Sequence, residues 1–238
     1  MTYNIGEIDS LKRNWIFNKS NIPRRFMGLE PADIIARTGK FPEIIEEWLE
    51  LAFEGKVIKN VGGLGTTGVG LLFDGGPGLG KTTHAVTTLM EFVRRMPEEN
   101  MARILGIPAG LSPVDMRPIY YMTFPEFLSR KKALIDADSD SRADLYREME
   151  GFHGRAKEDW LNVRVLVLDD LGKEYGSKYD DTSFDEILRS RYDKALPTII
   201  TTNVSRDKWS AQYGEAMGSF AHEAFHRVAI IGKDLRQG

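Results

Sequence analysis

Two hydrophobic rhythms alternate along this chain. Short, nearly unbroken apolar runs fall at 69–73 (VGLLF), 119–123 (IYYMT), 164–168 (RVLVL), 198–202 (TIITT) and 228–231 (VAII). They have strand length and, threonines aside, little polar content, the pattern of strands buried on both faces of a parallel sheet. Between them apolar positions recur at helical spacing. In 41–59, Ile44, Ile45, Trp48, Leu49, Ala52 and Phe53 make one stripe, and further helices are expected over 84–95, from Pro125 onward, over 184–196 and over 218–227. Segment 133–160 is strongly charged and reads as helix in two pieces, broken near 136–140. Strands alternating with helices predict an α/β fold with a central parallel sheet flanked by helices.

Outside these elements the chain is polar or irregular. Residues 1–21 carry only a scattered aromatic pair, Trp15 and Phe17, and read as an arm or short helix. Stretch 62–70 is glycine-rich and reads as a flexible lead into the first strand, while 96–118 is rich in Pro and Gly and reads as a surface loop.

The first strand runs directly into Gly75, Gly76, Pro77, Gly78, Leu79, Gly80, Lys81, Thr82 and Thr83, which fit the phosphate-loop pattern G-x-x-x-x-G-K-[ST]. Backbone N–H groups must converge on phosphates where such a loop curls, so side chains have to be absent there, and the glycines supply that freedom. Lys81 brings a point charge to the β/γ-phosphates, the Thr82 hydroxyl can ligate Mg2+, and the following helix points its N-terminus at the anion. A strand before the loop and a helix after it are the context the motif requires, so the chain is expected to bind a nucleoside triphosphate.

Two further strand ends carry polar chemistry. The 164–168 run ends in Asp169 and Asp170, where the first acid would hold Mg2+ through water and the second would orient or deprotonate the attacking water. The 198–202 run ends at Asn203, whose amide can hydrogen-bond a γ-phosphate or that water.

Composition narrows the setting. The chain has 238 residues, no cysteine and a formal net charge of −3. Disulfides and thiolate metal sites are excluded, which suits a cytoplasmic location, and no apolar run approaches the length of a membrane span. Bulk charge announces no nucleic-acid binder, so any DNA contact must come from a local stripe.

Six strings together resemble the AAA+ ATPases, and within them the DnaC/IstB-like helicase loaders and transposition ATPases: IPRRF at 22–26, GGPGLGKTT at 75–83, IYYMTFPEFL at 119–128, VLVLDDLG at 165–172, RSRYDKALPTIITTNVS at 189–205 and FHRVAIIGKDLR at 225–236. The resemblance covers roughly residues 20–238, dividing the chain into an arm (1–21) and an AAA+ domain (22–238) with a helical insertion before the Asp-Asp strand. It implies ATP and Mg2+ as cofactors, with Lys81 and Thr82 on phosphate and metal, Asp169 on metal and Asp170 on the catalytic water. Asn203 becomes the sensor, and Arg227, expected at a helix end, becomes a finger reaching a neighbouring subunit's nucleotide. Arg189, Arg191 and Arg236 are further candidates for subunit-interface or sensor arginines. The implied partners are single-stranded DNA, a replicative helicase and other copies of the chain joined through ATP. The insert offers Lys131, Lys132, Arg142, Arg147 and Arg155 to DNA, against a plain solvated helix. Many loaders carry a separate helicase-binding domain ahead of this region; here residues 1–21 precede the IPRRF string, a departure under which loading by that route is expected only if the short arm carries the contact.

Three rivals share parts of the pattern. His222, Glu223 and His226 match the zinc-protease string H-E-x-x-H, but no His or Glu follows His226 to complete a site. The phosphate loop also suits a thymidylate-like nucleoside-monophosphate kinase, which gives no reason for a Thr-Thr-Asn sensor strand. The third is a nucleotide-gated binding module that hydrolyses slowly.

Overall fold

The structure, a computed structural model, describes residues 5–58, 66–108, 111–172 and 177–232. The apolar runs mark the strands β1 (Gly70–Asp74), β2 (Ile119–Thr123), β3 (Val165–Leu171), β4 (Thr198–Thr202) and β5 (Phe225–Ala229), the last of which starts before the expected 228–231 run and stops short of Ile230 and Ile231. All the pairings are parallel, in the order β2-β3-β4-β1-β5, so β1 is flanked by β4 and β5. Because side chains alternate along a strand, each run serves two cores. Leu71, Phe73, Tyr121, Val165, Val167 and Ile199 face one side. Leu72, Met122, Leu166, Leu168 and Ile200 face the other.

The first face is covered by α1 (Ile5–Asn14), α3 (Glu43–Phe53), α4 (Lys81–Arg94) and α5 (Glu98–Leu105), with α2 (Pro31–Thr38) packed near α4. The second is covered by α6 (Phe124–Asp136), α7 (Ser139–His153), α8 (Lys178–Asp193), α9 (Trp209–Tyr213) and α10 (Glu215–Ala224). The charged insert divides as expected: α6 stops at Asp136 and the Asp138 carboxylate accepts from Ser141 N at 2.8 Å to start α7. Among the described residues no helix is long and apolar enough to cross a membrane.

The N-terminal segment is helical and docked. α1 continues through a π-helical turn, Trp15–Lys19, in which Trp15 is buried and donates Nε1–H to Pro113 O at 2.9 Å. Lys12 caps the end of α4 by donating to Met96 O at 2.8 Å. Beyond the turn, Tyr121 N donates to Ser20 O at 2.8 Å and Asn21 Nδ2 to Tyr121 O at 2.9 Å, which covers the otherwise open edge of β2.

Three expectations change. The helix expected over 41–59 is Glu43–Phe53, and residue 59 lies outside the described residues, as do 62–65 of the stretch read as flexible. The 96–118 segment is not simply a surface loop, because α5 lies within it and buries Met101, Ile104 and Leu105. The last helix stops at Ala224 rather than 227, because β5 begins at Phe225 to pair with Gly70 of β1.

Arg191, read as an interface or sensor candidate, is fully buried instead. It donates to Phe152 O at 2.7 Å, Arg164 O at 3.1 Å, Pro197 O at 3.0 Å and Thr198 Oγ1 at 3.0 Å, joining the end of α7 to the starts of β3 and β4. Burial, with Arg164 nearby, lowers its pKa to about 9, so it remains charged at neutral pH. Truncation would orphan several buried carbonyls at once. Arg191→Met is therefore expected to lose about 3 kcal/mol or more of stability, read as a lowered urea midpoint, and a midpoint equal to wild type would contradict this role.

Candidate nucleotide site

The C-terminal ends of β1, β3 and β4 bring the phosphate-loop, Asp-Asp and Asn motifs to one edge of the sheet. At Gly75 φ is 150° and an added Cβ would lie 2.4 Å from Ile230 O, so the backbone just after β5 excludes any side chain there. Gly80, at φ 83°, caps α4 in the left-handed region. The loop curls so that Lys81 Nζ donates to Gly75 O at 2.9 Å, Gly76 O at 2.6 Å and Asn203 Oδ1 at 2.8 Å. Lys81 and Asn203, 122 positions apart, thus meet directly.

Asp169 is buried at 3% exposure and accepts from three hydroxyls. Thr82 Oγ1 donates to its Oδ1 at 2.8 Å, Thr201 Oγ1 to the same oxygen, and Tyr121 OH to Oδ2 at 2.7 Å. Burial, then the charge of Asp169, its hydrogen bond and Asp170, push the Tyr121 phenol far above its ordinary pKa, with Arg25 opposing. Tyr121 therefore stays protonated and remains a donor. Neither Tyr121 nor Thr201 stands out in the sequence as a site residue, since each lies inside an apolar strand.

Asp170 sits differently. β3 inserts one extra residue relative to β4 between Leu168 and Leu171, and Asp170 takes φ 60° there. A left-handed non-glycine residue at a bulge stores about 1–3 kcal/mol of strain and turns the side chain off the strand's alternation. The bulge is held by Asp170 N donating to Thr201 Oγ1 at 3.0 Å, and Asp170 lines the cavity over the loop.

That cavity, of about 590 Å³, is walled by Pro77, Gly78, Gly80, Lys81, Thr82 and Thr83 from the loop, by Asp170 and Asn203, and by Arg25, Phe26 and Arg37. The last three come from segment 24–38, which enters the sequence reading only through the IPRRF string. A second cavity of about 350 Å³ shares Arg37 and is lined by Pro42, Leu79, His84, Ile230 and Ile231 among others. Burial lowers the pKa of His84, so it is neutral at pH 7; Nδ1 lies 2.9 Å from Gly80 O and is the protonated nitrogen, because a carbonyl can only accept. The pair of cavities offers a cationic, N–H-rich chamber beside a largely apolar slot, the division a nucleotide's phosphates and base require.

The donor set suits a hard divalent ion. Thr82 and Asp169 present oxygen ligands already in contact, and Mg2+ takes few protein ligands, completing its octahedron with water and phosphate oxygens.

Other expected site residues are placed elsewhere. Arg227 lies on β5, not at a helix end. Its Nε donates to Asp74 Oδ2 at 2.8 Å, Nη1 to Asp207 Oδ2 at 3.0 Å and Nη2 to Ser205 Oγ at 2.9 Å. Arg206 N also donates to Asp74 Oδ2 at 3.0 Å, so the loop after Asn203 is tied to the end of β1. Arg189 pairs with Asp185 and packs over Phe220, and Arg236 lies outside the described residues. The insert cations are engaged within the chain: Lys131 and Arg155 with Glu186, Lys132 with Asp180, Arg147 with Asp144, and Arg142 with Ala137 O. His226 lies on β5 while His222 lies on α10, and Glu223 accepts from Tyr192 OH at 2.8 Å, so the H-E-x-x-H string does not present two histidines on one helix face.

Comparison with known proteins agrees with the fold. Residues 142–228 match the family described as IstB-like ATP binding protein. The crystal structure of the DnaC helicase loader is similar at 23% identity and a TM-score of 0.53, covering 88% of this chain and 100% of that one. A crystal structure of DnaI aligns at 18% identity and a TM-score of 0.59, covering 94% and 100%. The replication initiator DnaA bound to AMPPCP and single-stranded DNA aligns at 15% identity and a TM-score of 0.56, covering 90% of this chain and 52% of that one. No curated protein sequence matches. The IstB-like segment and the fold shared with the DnaC and DnaI structures make this chain similar to the DnaC/IstB-like AAA+ proteins, with an α/β P-loop fold.

Proposed function

We propose that this chain binds Mg-ATP in the Lys81 cavity and hydrolyses it, using nucleotide state to control self-association and a grip on single-stranded DNA and a replicative helicase. The observation that carries the ATP reading is the convergence of Lys81, Thr82, Asp169, Asp170 and Asn203 on one sheet edge. The assembly and partner reading draws on similarity to the helicase loaders and the DnaA initiator.

Each residue has a stated task. Lys81 exchanges loop carbonyls for β/γ-phosphate oxygens, and Asn203, already its partner, orients the γ-phosphate or the attacking water. Thr82 and Asp169 would hold Mg2+, which when bound would supply charge neutralisation to the triphosphate. Asp170 takes the proton as water oxygen bonds to the γ-phosphorus and the bond to the ADP oxygen breaks, releasing ADP and phosphate. The second cavity takes the base. Arg227 works within its own chain, holding the 203–207 loop to Asp74 so that Asn203 stays over Lys81. This replaces the expected reach to a neighbour, because its three donor nitrogens are already engaged at home.

A second reading, a transposition-type IstB-like ATPase, is favoured by the family match over 142–228. Anisotropy with single-stranded and duplex oligonucleotides separates the two. ATP-dependent preference for the single strand supports a loader, and preference for duplex supports the transposition reading.

Asp170→Asn is expected to retain ATP binding while hydrolysis falls by roughly 10² to 10⁴-fold, whereas Lys81→Ala loses binding. Phosphate release and calorimetry on the same samples check this, and full turnover by Asp170→Asn would remove it as the base. Gel filtration with light scattering is expected to show a higher mass with a slowly hydrolysed ATP analogue than with ADP, and no such shift for Lys81→Ala. The same mass under every condition would contradict assembly through ATP.

A further inference from the structure

Phosphoryl transfer concentrates negative charge on the γ-phosphate oxygens, and sites of this kind place more than one cation there. Lys81 is one. The other arginines near this edge are committed: Arg227 to Asp74, Asp207 and Ser205, and Arg206 through Nη1 to Phe225 O. Two guanidinium groups remain on the wall of the phosphate cavity, Arg25 and Arg37. Both residues are exposed, and among the described residues no carboxylate forms an ion pair with either.

Their positions differ. Arg37 lies in the last turn of α2 and is shared with the apolar cavity, the side away from the acids. Arg25 belongs to the short turn Arg24–Phe26, and its guanidinium carbon rests 4.7 Å from the centroid of the half-buried Phe26 ring, a contact that steadies the cation without neutralising it. The turn follows directly on Ser20 and Asn21, which bond to the backbone of Tyr121. Tyr121 in turn holds Asp169, so one strand carries both the metal acid's hydroxyl partner and the anchor of the turn bearing Arg25. Arg25 and Asp170 line the same cavity.

We propose that Arg25 is a γ-phosphate arginine supplied from within the chain, binding the terminal phosphate of ATP and stabilising its charge during transfer. This rests on the ATP reading above. It gives the IPRRF string a chemical task and makes the site's second cation independent of a neighbouring subunit. A guanidinium matches a phosphate in two parallel hydrogen bonds where an ammonium makes a point contact, so Arg25→Lys should restore only part of the effect.

The test is calorimetric binding of ATPγS and of ADP, each with Mg2+, plus single-turnover hydrolysis of ATP, for wild type, Arg25→Ala and Arg25→Lys. Arg25→Ala is expected to bind ATPγS about tenfold or more weakly, to hydrolyse ATP more slowly, and to hold ADP within about twofold of wild type. Retained ADP affinity also reports that the variant is folded. A loss confined to ATPγS affinity or to hydrolysis supports the proposal. Equal losses for ADP and ATPγS, or no change in any quantity, overturn it while leaving the ATP reading standing. Failure of the wild type to bind either nucleotide would overturn both.

Discussion

A carboxylate buried at the end of a central strand must be compensated, and the compensation of Asp169 organises this site. Burying an unpaired carboxylate costs several kcal/mol, so donors have to be supplied from nearby elements. Here they are three hydroxyls from three different places: Thr82 on α4, Tyr121 on β2 and Thr201 on β4. Satisfying one charge thereby fixes the phosphate-loop helix and two strands against β3. The Thr201 hydroxyl does double duty, donating to Asp169 and accepting from Asp170 N, which stabilises the left-handed backbone that aims Asp170 at the cavity. The two adjacent acids acquire different environments from a one-residue bulge, one enclosed by donors and one facing the chamber.

The same logic operates on the other side of β1. Asp74, also buried, is compensated by Arg227 from β5 and by Arg206 N from the loop after β4. The strand that leads into the phosphate loop is thus held by charge at its end and by backbone pairing along its length. Lys81 rests on its own loop carbonyls and on Asn203, contacts that a triphosphate can replace with stronger, charge-assisted ones. On the proposed ATP reading, binding is an exchange of partners within a prebuilt frame, and the loop, the acids and Asn203 would register it together.

Much of this was legible because it is local. The phosphate loop, the Asp-Asp strand end and the Thr-Thr-Asn strand end are contiguous strings whose chemistry follows from residue type and order, and the alternation of apolar runs with helical stripes is enough for a parallel α/β sheet. What was not legible is long-range or compensatory. Tyr121 and Thr201 look like strand residues until the fold puts their hydroxyls on Asp169. Arg191 reads as an interface or sensor candidate, because nothing in its neighbours announces the buried carbonyls it serves. Arg227 was misplaced because 218–227 keeps a helical rhythm that the pairing of Phe225 with Gly70 overrides. α5 had a signal that proline and glycine content obscured: Pro97 and Gly106 bound it, and Met101, Ile104 and Leu105 have helical spacing.

A crystal structure with Mg2+ and a non-hydrolysable ATP analogue tests most directly whether the residues gathered at this edge engage one nucleotide together. The account predicts the γ-phosphate at hydrogen-bond distance, about 3 Å, from both Lys81 Nζ and Asn203, with the ion between Thr82 and Asp169. A nucleotide bound elsewhere, or phosphates out of reach while Lys81 still holds Asn203 and the loop carbonyls, would contradict it.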